Sequence, residues 1–309
     1  MKFSIITVCL NPGEKLNATL ESILGQTCKD AEVILKDGGS RDGSVEKWQE
    51  LHRLGDGEPG TGDCRGGSVE NWPELHRAGV GQDSGGVRVR IFVEPDRGIY
   101  DAMNQAVSHA EGEFLLFLNC GDVFPDERVL ERTAQIIEQE REAETDMERL
   151  VLYGDTYSGK TQVTVASPPV IDGFACYRNI PCHQSCFYSA RLCREKPYDL
   201  QYRIRADYDH FLWCFYRAKA KVRHMDFPVA LYEGGGYSES RENRVRDREE
   251  HRQITAEYMT RGERFRYRFL LALTLAPLRR AMAESRLFSG MYHWVKERVY
   301  HRGHSAHSG

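Results

Sequence analysis

Phe114-Leu115-Leu116-Phe117-Leu118-Asn119-Cys120-Gly121-Asp122 decides the fold. Five apolar residues in a row suit a strand buried on both faces, and a turn carrying a carboxylate follows at once. Working outward, Phe3–Leu10, Glu32–Leu35 and Val87–Val93 have the same strand-like character, and each precedes a stretch of helical periodicity. That alternation predicts βαβ units, hence an α/β fold with a mostly parallel sheet packed by helices on both faces. Ligands of such sheets sit in the crevice beyond the carboxyl ends of the strands. The segments to follow are therefore Thr7–Asn11, Asp37–Asp42, Glu94–Asp101 and Asn119–Asp122.

Each segment admits two readings. In Asp37-Gly38-Gly39-Ser40-Arg41-Asp42-Gly43-Ser44 the glycines allow close approach to a ligand and Asp37 can accept from a nucleobase or ribose, while Ser40 or Asp42 equally suits a helix cap. Glu94 to Asn104 groups Asp96, Asp101 and Asn104 beside Gly98, though Asp96 also suits an N-cap. Asp122 at the end of an apolar strand suits a hard divalent cation, or a turn. Asp207, at the start of a helix expected over Ile204–Ala218, has a carboxylate where the helix dipole favours one.

Taken together, these motifs resemble glycosyltransferase family 2, the inverting nucleotide-diphospho-sugar transferases with the GT-A fold. Ser4 to Asn11 resembles the family's first strand, Asp37 to Ser44 its nucleotide-binding turn and Glu94 to Asn104 its second donor loop. Leu118 to Asp122 stands where the family has an Asp-x-Asp metal motif, with Asn119 and Gly121 in place of a second acid. Arg205-Ala206-Asp207-Tyr208-Asp209 resembles the segment that supplies the catalytic base, and Cys182-His183-Gln184 has a counterpart in the branch that builds bacterial surface polysaccharides. The resemblance spans roughly residues 3–240.

The resemblance implies a GT-A-type, Rossmann-like sheet and transfer of a sugar from a nucleotide-diphosphate donor to an acceptor hydroxyl. Asp207 would be the base. Asp37 and Asp96 would read base and ribose, with Thr7, Asn11, Gly38 and Ser40 around them. Gly98, Asp101, Asn104 and Asn119 would lie toward the sugar or diphosphate. Asp122, with His183, would hold a divalent cation, Mg2+ or Mn2+; a satisfied core histidine is an equal reading of His183. The acceptor implied is a saccharide or a lipid-linked saccharide. Rival readings are a nucleotidyltransferase, for which Asn11-Pro12-Gly13-Glu14-Lys15 is a poor phosphate loop, and a degenerate transferase fold kept as a partner-binding subunit.

Composition sets the frame. At 309 residues, 40% hydrophobic and 28% charged, the chain is long enough for one large domain with an appendage. A net charge of −4 gives no reason to expect nucleic acid as a partner. Charge is uneven: residues 241–309 carry fifteen Lys/Arg against eight Asp/Glu, a net +7, which leaves −11 on the rest. The expected organisation is a domain over 1–240, with an insert at about 55–86, and a basic helical extension over 241–309. Helices are expected there near Val245–Met259, Phe265–Met282 and Phe288–Tyr300, and the extension suits an anionic membrane surface or a solvated face. Nine cysteines, an odd number without any Cys-x-x-Cys among Cys176, Cys182, Cys186 and Cys193, suggest buried free thiols rather than zinc. Phe3–Leu10 reads as a strand rather than a signal peptide. The expected location is cytoplasmic, peripheral on the inner face of the membrane.

One repeat stands out: Gly43–Gly55 recurs almost unchanged as Gly67–Gly79. Two copies are too few for a solenoid, so a tandem duplication lengthening a connection is expected. Gly55-Asp56-Gly57-Glu58-Pro59-Gly60 matches G-x-G-x-x-G only formally, since it follows a helix rather than a strand.

Overall fold

In the computed structural model of the chain, residues 1–53, 79–82, 86–159, 161–232 and 243–273 are described. In chain order the elements are β1 (Phe3–Cys9), α1 (Lys15–Leu24), β2 (Ala31–Asp37), α2 (Ser44–Arg53), β3 (Gly79–Gln82), β4 (Arg88–Val93), α3 (Ile99–His109), β5 (Phe114–Phe117) and α4 (Val129–Glu142). After these come β6 (Leu150–Ser158), β7 (Val163–Val165), α5 (Gly173–Arg178), β8 (Cys186–Ser189), α6 (Ala190–Glu195), α7 (Ala206–Tyr216), β9 (Lys221–Tyr232), α8 (Asn243–Tyr258) and α9 (Arg261–Leu273).

Among the described residues, nine strands form one mixed, mostly parallel sheet, ordered β3-β4-β2-β1-β5-β8-β6-β7 with β9 paired to β6. The strands β4, β2, β1 and β5 are mutually parallel. Every residue of β1, β2 and β5 is buried, as their near-continuous apolar character requires of a central sheet covered on both sides. Helix α1 turns Leu16, Thr19, Leu20 and Ile23 inward, the spacing of one helical face. From β1 the order runs through β2 and β4 to one side, while β5 lies on the other. The crevice for a ligand therefore opens where β1 and β5 part.

The four expected strands are present, within a few residues of their expected limits. Val170–Ser189 contains α5 and a 3-10 turn at His183–Ser185 before β8 begins. Asp172 starts α5 by accepting from the Ala175 N–H at 2.7 Å, a side-chain cap. The first copy of the repeat supplies α2. The second copy up to residue 78 and the 55–60 glycine motif lie outside the described residues, while Gly79–Gln82 pairs antiparallel with β4.

The chain divides into two units, Met1–Ile254 and Thr255–Gly309. Within the second, Thr260 and Glu263 form a reciprocal capping box at the start of α9, with contacts of 2.8 and 3.2 Å. Phe265, Phe269 and Leu273 stand exposed along one side of α9. The expected helix at Phe288–Tyr300, and the end of the one at Phe265–Met282, lie outside the described residues. Among the described residues no helix is long and apolar enough to cross a membrane.

Candidate active site

Two clusters of sequence-predicted residues line the carboxyl ends of the central strands. The first gathers around Asp37, which ends β2 and is 2% exposed. Its Oδ1 accepts from Ser40 Oγ at 2.6 Å and from the Ser40 N–H at 3.0 Å. Ser40 Oγ in turn accepts from the Asn11 N–H at 2.7 Å, and Asn11 Oδ1 accepts from the Arg41 N–H at 2.8 Å. The turns after β1 and β2 are thus locked to each other.

Gly38 is where Asp96 arrives. A Cβ there would lie 2.6 Å from Asp96 Oδ2, so no side chain fits without moving that carboxylate. Asp96 Oδ1 accepts from the N–H of Gly98, whose φ of 128° is one that glycine alone adopts readily. Lys36, wholly buried, was not among the expected site residues, yet it ties this cluster together. Its Nζ donates to the carbonyls of Asp37 at 3.2 Å and Glu94 at 2.5 Å and lies 3.3 Å from Asp96 Oδ2. A buried ammonium requires such partners.

The second cluster follows β5. Thr7 joins the two, its hydroxyl donating to the Leu118 carbonyl at 2.9 Å. Gly121 adopts a φ of 101°, and its N–H donates to Thr19 of α1. The Asp122 carboxylate, 5% exposed, accepts from Gln184 Nε2 at 3.0 Å. Beside Gln184, His183 spans Asn119 and Asp207. Its Nε2 lies 3.0 Å from Asn119 Nδ2 and its Nδ1 lies 3.2 Å from Asp207 Oδ2. With the proton on Nδ1, His183 donates to Asp207 and accepts from Asn119, which satisfies both contacts.

Asp207 opens α7. Its Oδ1 accepts from the Tyr208 N–H at 2.9 Å and lies 3.0 Å from the Tyr100 hydroxyl, which also reaches the Ile204 carbonyl at 2.7 Å. Burial pushes this carboxyl up. The His183 bond and charge, the Tyr100 hydroxyl and the Tyr208 N–H outweigh it and hold the group below the usual carboxylate range. Burial, followed by the Asp207 charge, pushes the Tyr100 phenol well up, so it stays a donor. Asp207 is 20% exposed, open enough to meet a ligand.

Two expected residues are engaged elsewhere. Both ends of the Asn104 amide bond the Tyr198 main chain, at 2.8 and 2.9 Å. Asp101 is gripped by Arg97 through the N–H, Nε and NH2, which hold its carboxyl below the ordinary range. Both therefore brace the start of α3. Tyr100 and Gln184, which complete the second cluster, lay inside quoted motifs, but neither has a spacing signal that would single it out.

For a divalent cation the second cluster offers a limited set of donors. Asn119 Oδ1 is buried with no hydrogen-bond partner among the described residues. The Asn119 amide oxygen and the Asp122 carboxylate are oxygen donors of the kind Mg2+ or Mn2+ accepts when phosphate and water complete the shell, whereas the expected third ligand, His183, has both ring nitrogens engaged by Asn119 and Asp207. Among the described residues no three His, Cys, Asp or Glu side chains converge, so the chain offers a partial shell only. The cysteines are a separate matter: burial pushes the Cys176, Cys182 and Cys193 thiols up to about 12, which keeps them protonated.

Parallel strands end here in two linked carboxylate clusters with a positioned aspartate beside them, a polar crevice fit to bind a ligand. The family description "Glycosyl transferase family 2" matches residues 4–60 and 67–191, and the chain belongs to that family. A PGL/p-HBAD biosynthesis glycosyltransferase of Mycobacterium bovis is 32% identical over 238 residues, covering 76% of this chain and 78% of that one. Among solved structures, S. aureus TarS 1–349 superposes with a TM-score of 0.55 at 16% identity, over 75% of this chain; this chain spans 60% of that one. The mannosyltransferase PcManGT from Pyrobaculum calidifontis, in complex with GDP-Man and Mn2+, gives 0.57 at 14% identity, over 97% of this chain and 84% of that one. The chain is therefore a glycosyltransferase, and the nucleotidyltransferase reading falls away.

Proposed function

We propose that the protein transfers a sugar from a nucleotide-diphosphate donor to a hydroxyl of a saccharide or lipid-linked saccharide, inverting the anomeric carbon. One observation carries this reading: a single, partly open carboxylate, Asp207, is held by His183, Tyr100 and the Tyr208 N–H. In the proposed step Asp207 takes the proton of the acceptor hydroxyl as its oxygen bonds the anomeric carbon, and the bond to the diphosphate breaks on the opposite face. One positioned base beside the site supports a single displacement, in which the acceptor oxygen attacks the anomeric carbon directly.

Asp37 and Asp96 bind base and ribose in this reading, with Thr7, Asn11, Gly38, Ser40 and Gly98 shaping the pocket. Asp101 and Asn104 support it from α3. A divalent cation held by Asp122 and Asn119 would neutralise charge on the departing diphosphate. Manganese beside GDP-Man in the solved mannosyltransferase supports including it. The exposed Phe265, Phe269 and Leu273, with Arg261, Arg264, Arg266 and Arg268 around them, support docking to an anionic membrane surface.

The test incubates the full chain with UDP-, GDP- and dTDP-sugars and saccharide acceptors, with manganese or with chelator, and measures released nucleoside diphosphate. Release that manganese raises and chelator lowers is expected. No release, and no thermal shift with any donor, would overturn the reading in favour of a partner-binding subunit. Sedimentation with phosphatidylglycerol vesicles, compared with the chain cut before Phe265, checks the membrane contact; equal binding removes it.

A further inference from the structure

The segment that presents Asp207 is held from outside its own helix. Glu250 of α8, 5% exposed, spreads its two carboxylate oxygens over three consecutive main-chain donors. Its Oε1 accepts from the Arg203 N–H at 3.0 Å, and its Oε2 accepts from Ile204 at 3.0 Å and Arg205 at 2.9 Å. Arg205 is the N-cap of α7 and its side chain makes no capping bond. Its N–H is one of those a helix leaves unpaired at its start, Arg203 and Ile204 lead into it, and an ionised acceptor is a strong partner for all three donors.

The neighbours of Glu250 reinforce the grip. Asp247, one turn back, holds the Arg205 guanidinium at 2.7 and 3.1 Å. His251, one residue on, stacks on Tyr208 with ring centroids 5.3 Å apart and bonds the Tyr177 carbonyl at 2.8 Å. The held segment also meets the site directly. The Ile204 carbonyl lies 2.7 Å from the Tyr100 hydroxyl that reaches Asp207. Leu200, Tyr202 and Arg203 form one wall of a cavity of about 570 Å³ whose other wall runs from Arg97 to Asp101.

We propose that Glu250 is a positioning residue for glycosyl transfer: by fixing Arg203–Arg205 it sets where Asp207 meets the acceptor hydroxyl. The inference rests on Asp207 being the base. Glu250 lies outside the donor cluster, so its loss acts on the chemical step and leaves donor binding intact.

The test is Glu250→Gln in the full chain. It keeps the shape but sets an NH2 against main-chain N–H donors. With whichever donor turns over in the panel above, kcat for transfer should fall roughly ten- to a hundredfold, the cost of a misplaced reacting group. Donor KM and the thermal shift with the matching nucleoside diphosphate should stay as in the unaltered chain. Glu249→Gln, on the exposed side of the same helix, should leave both unchanged. A kcat within twofold of the unaltered chain overturns the proposal, as does a kcat loss matched by an equal loss of donor affinity. Should Glu250→Gln fail to fold, Asp247→Asn decides: a several-fold fall in kcat at unchanged donor KM supports the clamp, and an unchanged kcat overturns it. Asp207→Asn separates the two claims. Transfer retained there removes the base whatever Glu250 does; transfer lost there but kept in Glu250→Gln overturns the positioning role alone.

Discussion

Glu140 and Asp207 are both carboxylates set into the protein, and they are held in opposite ways. Glu140, on α4 and 3% exposed, meets two cations from β9, Lys221 and Arg223, each at 2.5 Å, and Thr145 at 2.6 Å. Burial pushes its carboxyl up, but Lys221, Thr145 and Arg223 outweigh that and hold it at about 2. Among the described residues, no lysine or arginine is bonded to Asp207. It has an imidazole, a phenol and a main-chain N–H. Two fixed cations make a carboxylate permanently charged and spent. An imidazole, a phenol and a main-chain N–H, of which only the imidazole can carry charge, leave one ionised and able to take a proton. The difference teaches that burial alone does not mark a catalytic acid or base; the charge type of the partners does.

The largest effect should come from Asp207→Asn, which keeps size and most hydrogen bonds but cannot accept the acceptor's proton. Transfer should fall by about 10²–10⁴-fold, the usual contribution of a positioned base. Donor binding, read by thermal shift with the nucleoside diphosphate, should be unaltered. Transfer within tenfold of the unaltered chain would move the base elsewhere and erase the contrast with Glu140.

Tyr100→Phe probes the same carboxylate more gently. Its hydroxyl shares one proton between Asp207 Oδ1 and the Ile204 carbonyl. Removing it takes away one of the bonds that hold the Asp207 carboxyl down. The group should then titrate higher, so the acid limb of kcat/KM should move to higher pH. A hydrogen bond worth about 1 kcal/mol predicts a loss of roughly fivefold on that limb and little change on the plateau. An acid limb that stays put would show that Tyr100 does not tune the base.

How much of this was legible in sequence follows from how local each signal is. The sheet was legible because β1, β2 and β5 carry their burial in runs of adjacent apolar residues. Asp37, Asp96, Asp122 and Asp207 were legible because each ends a strand, follows one within a few residues or starts a helix, where sequence position alone puts a side chain near the crevice. Lys36, Tyr100, Gln184 and Glu250 were not, since each acts through a partner 46 to 107 residues away along the chain. Asn104 shows the converse case. Its place in a donor-loop motif suggested a ligand contact, and only the fold reveals that it braces Tyr198.

The smallest effect on activity, and the sharpest test of the contrast, is Glu140→Gln. Turnover should be unchanged, because none of its bonded partners belongs to either site cluster. Stability should not be. The folded carboxyl titrates near 2 against an ordinary 4.5, so its contribution is complete above about pH 4.5 and is lost as pH falls toward 2. With Lys221 half exposed, that contribution is discounted to roughly 2 kcal/mol. Acid unfolding followed by circular dichroism should therefore be shallower in the variant between pH 4.5 and 2. At neutral pH its melting temperature should be lower by about 4–8 °C, the shift that roughly 2 kcal/mol gives in a chain of this size. An acid profile as steep as that of the unaltered chain would mean that the two cations do not hold Glu140 down. The distinction between a carboxylate fixed by charge and one kept available for chemistry would then lose its structural half.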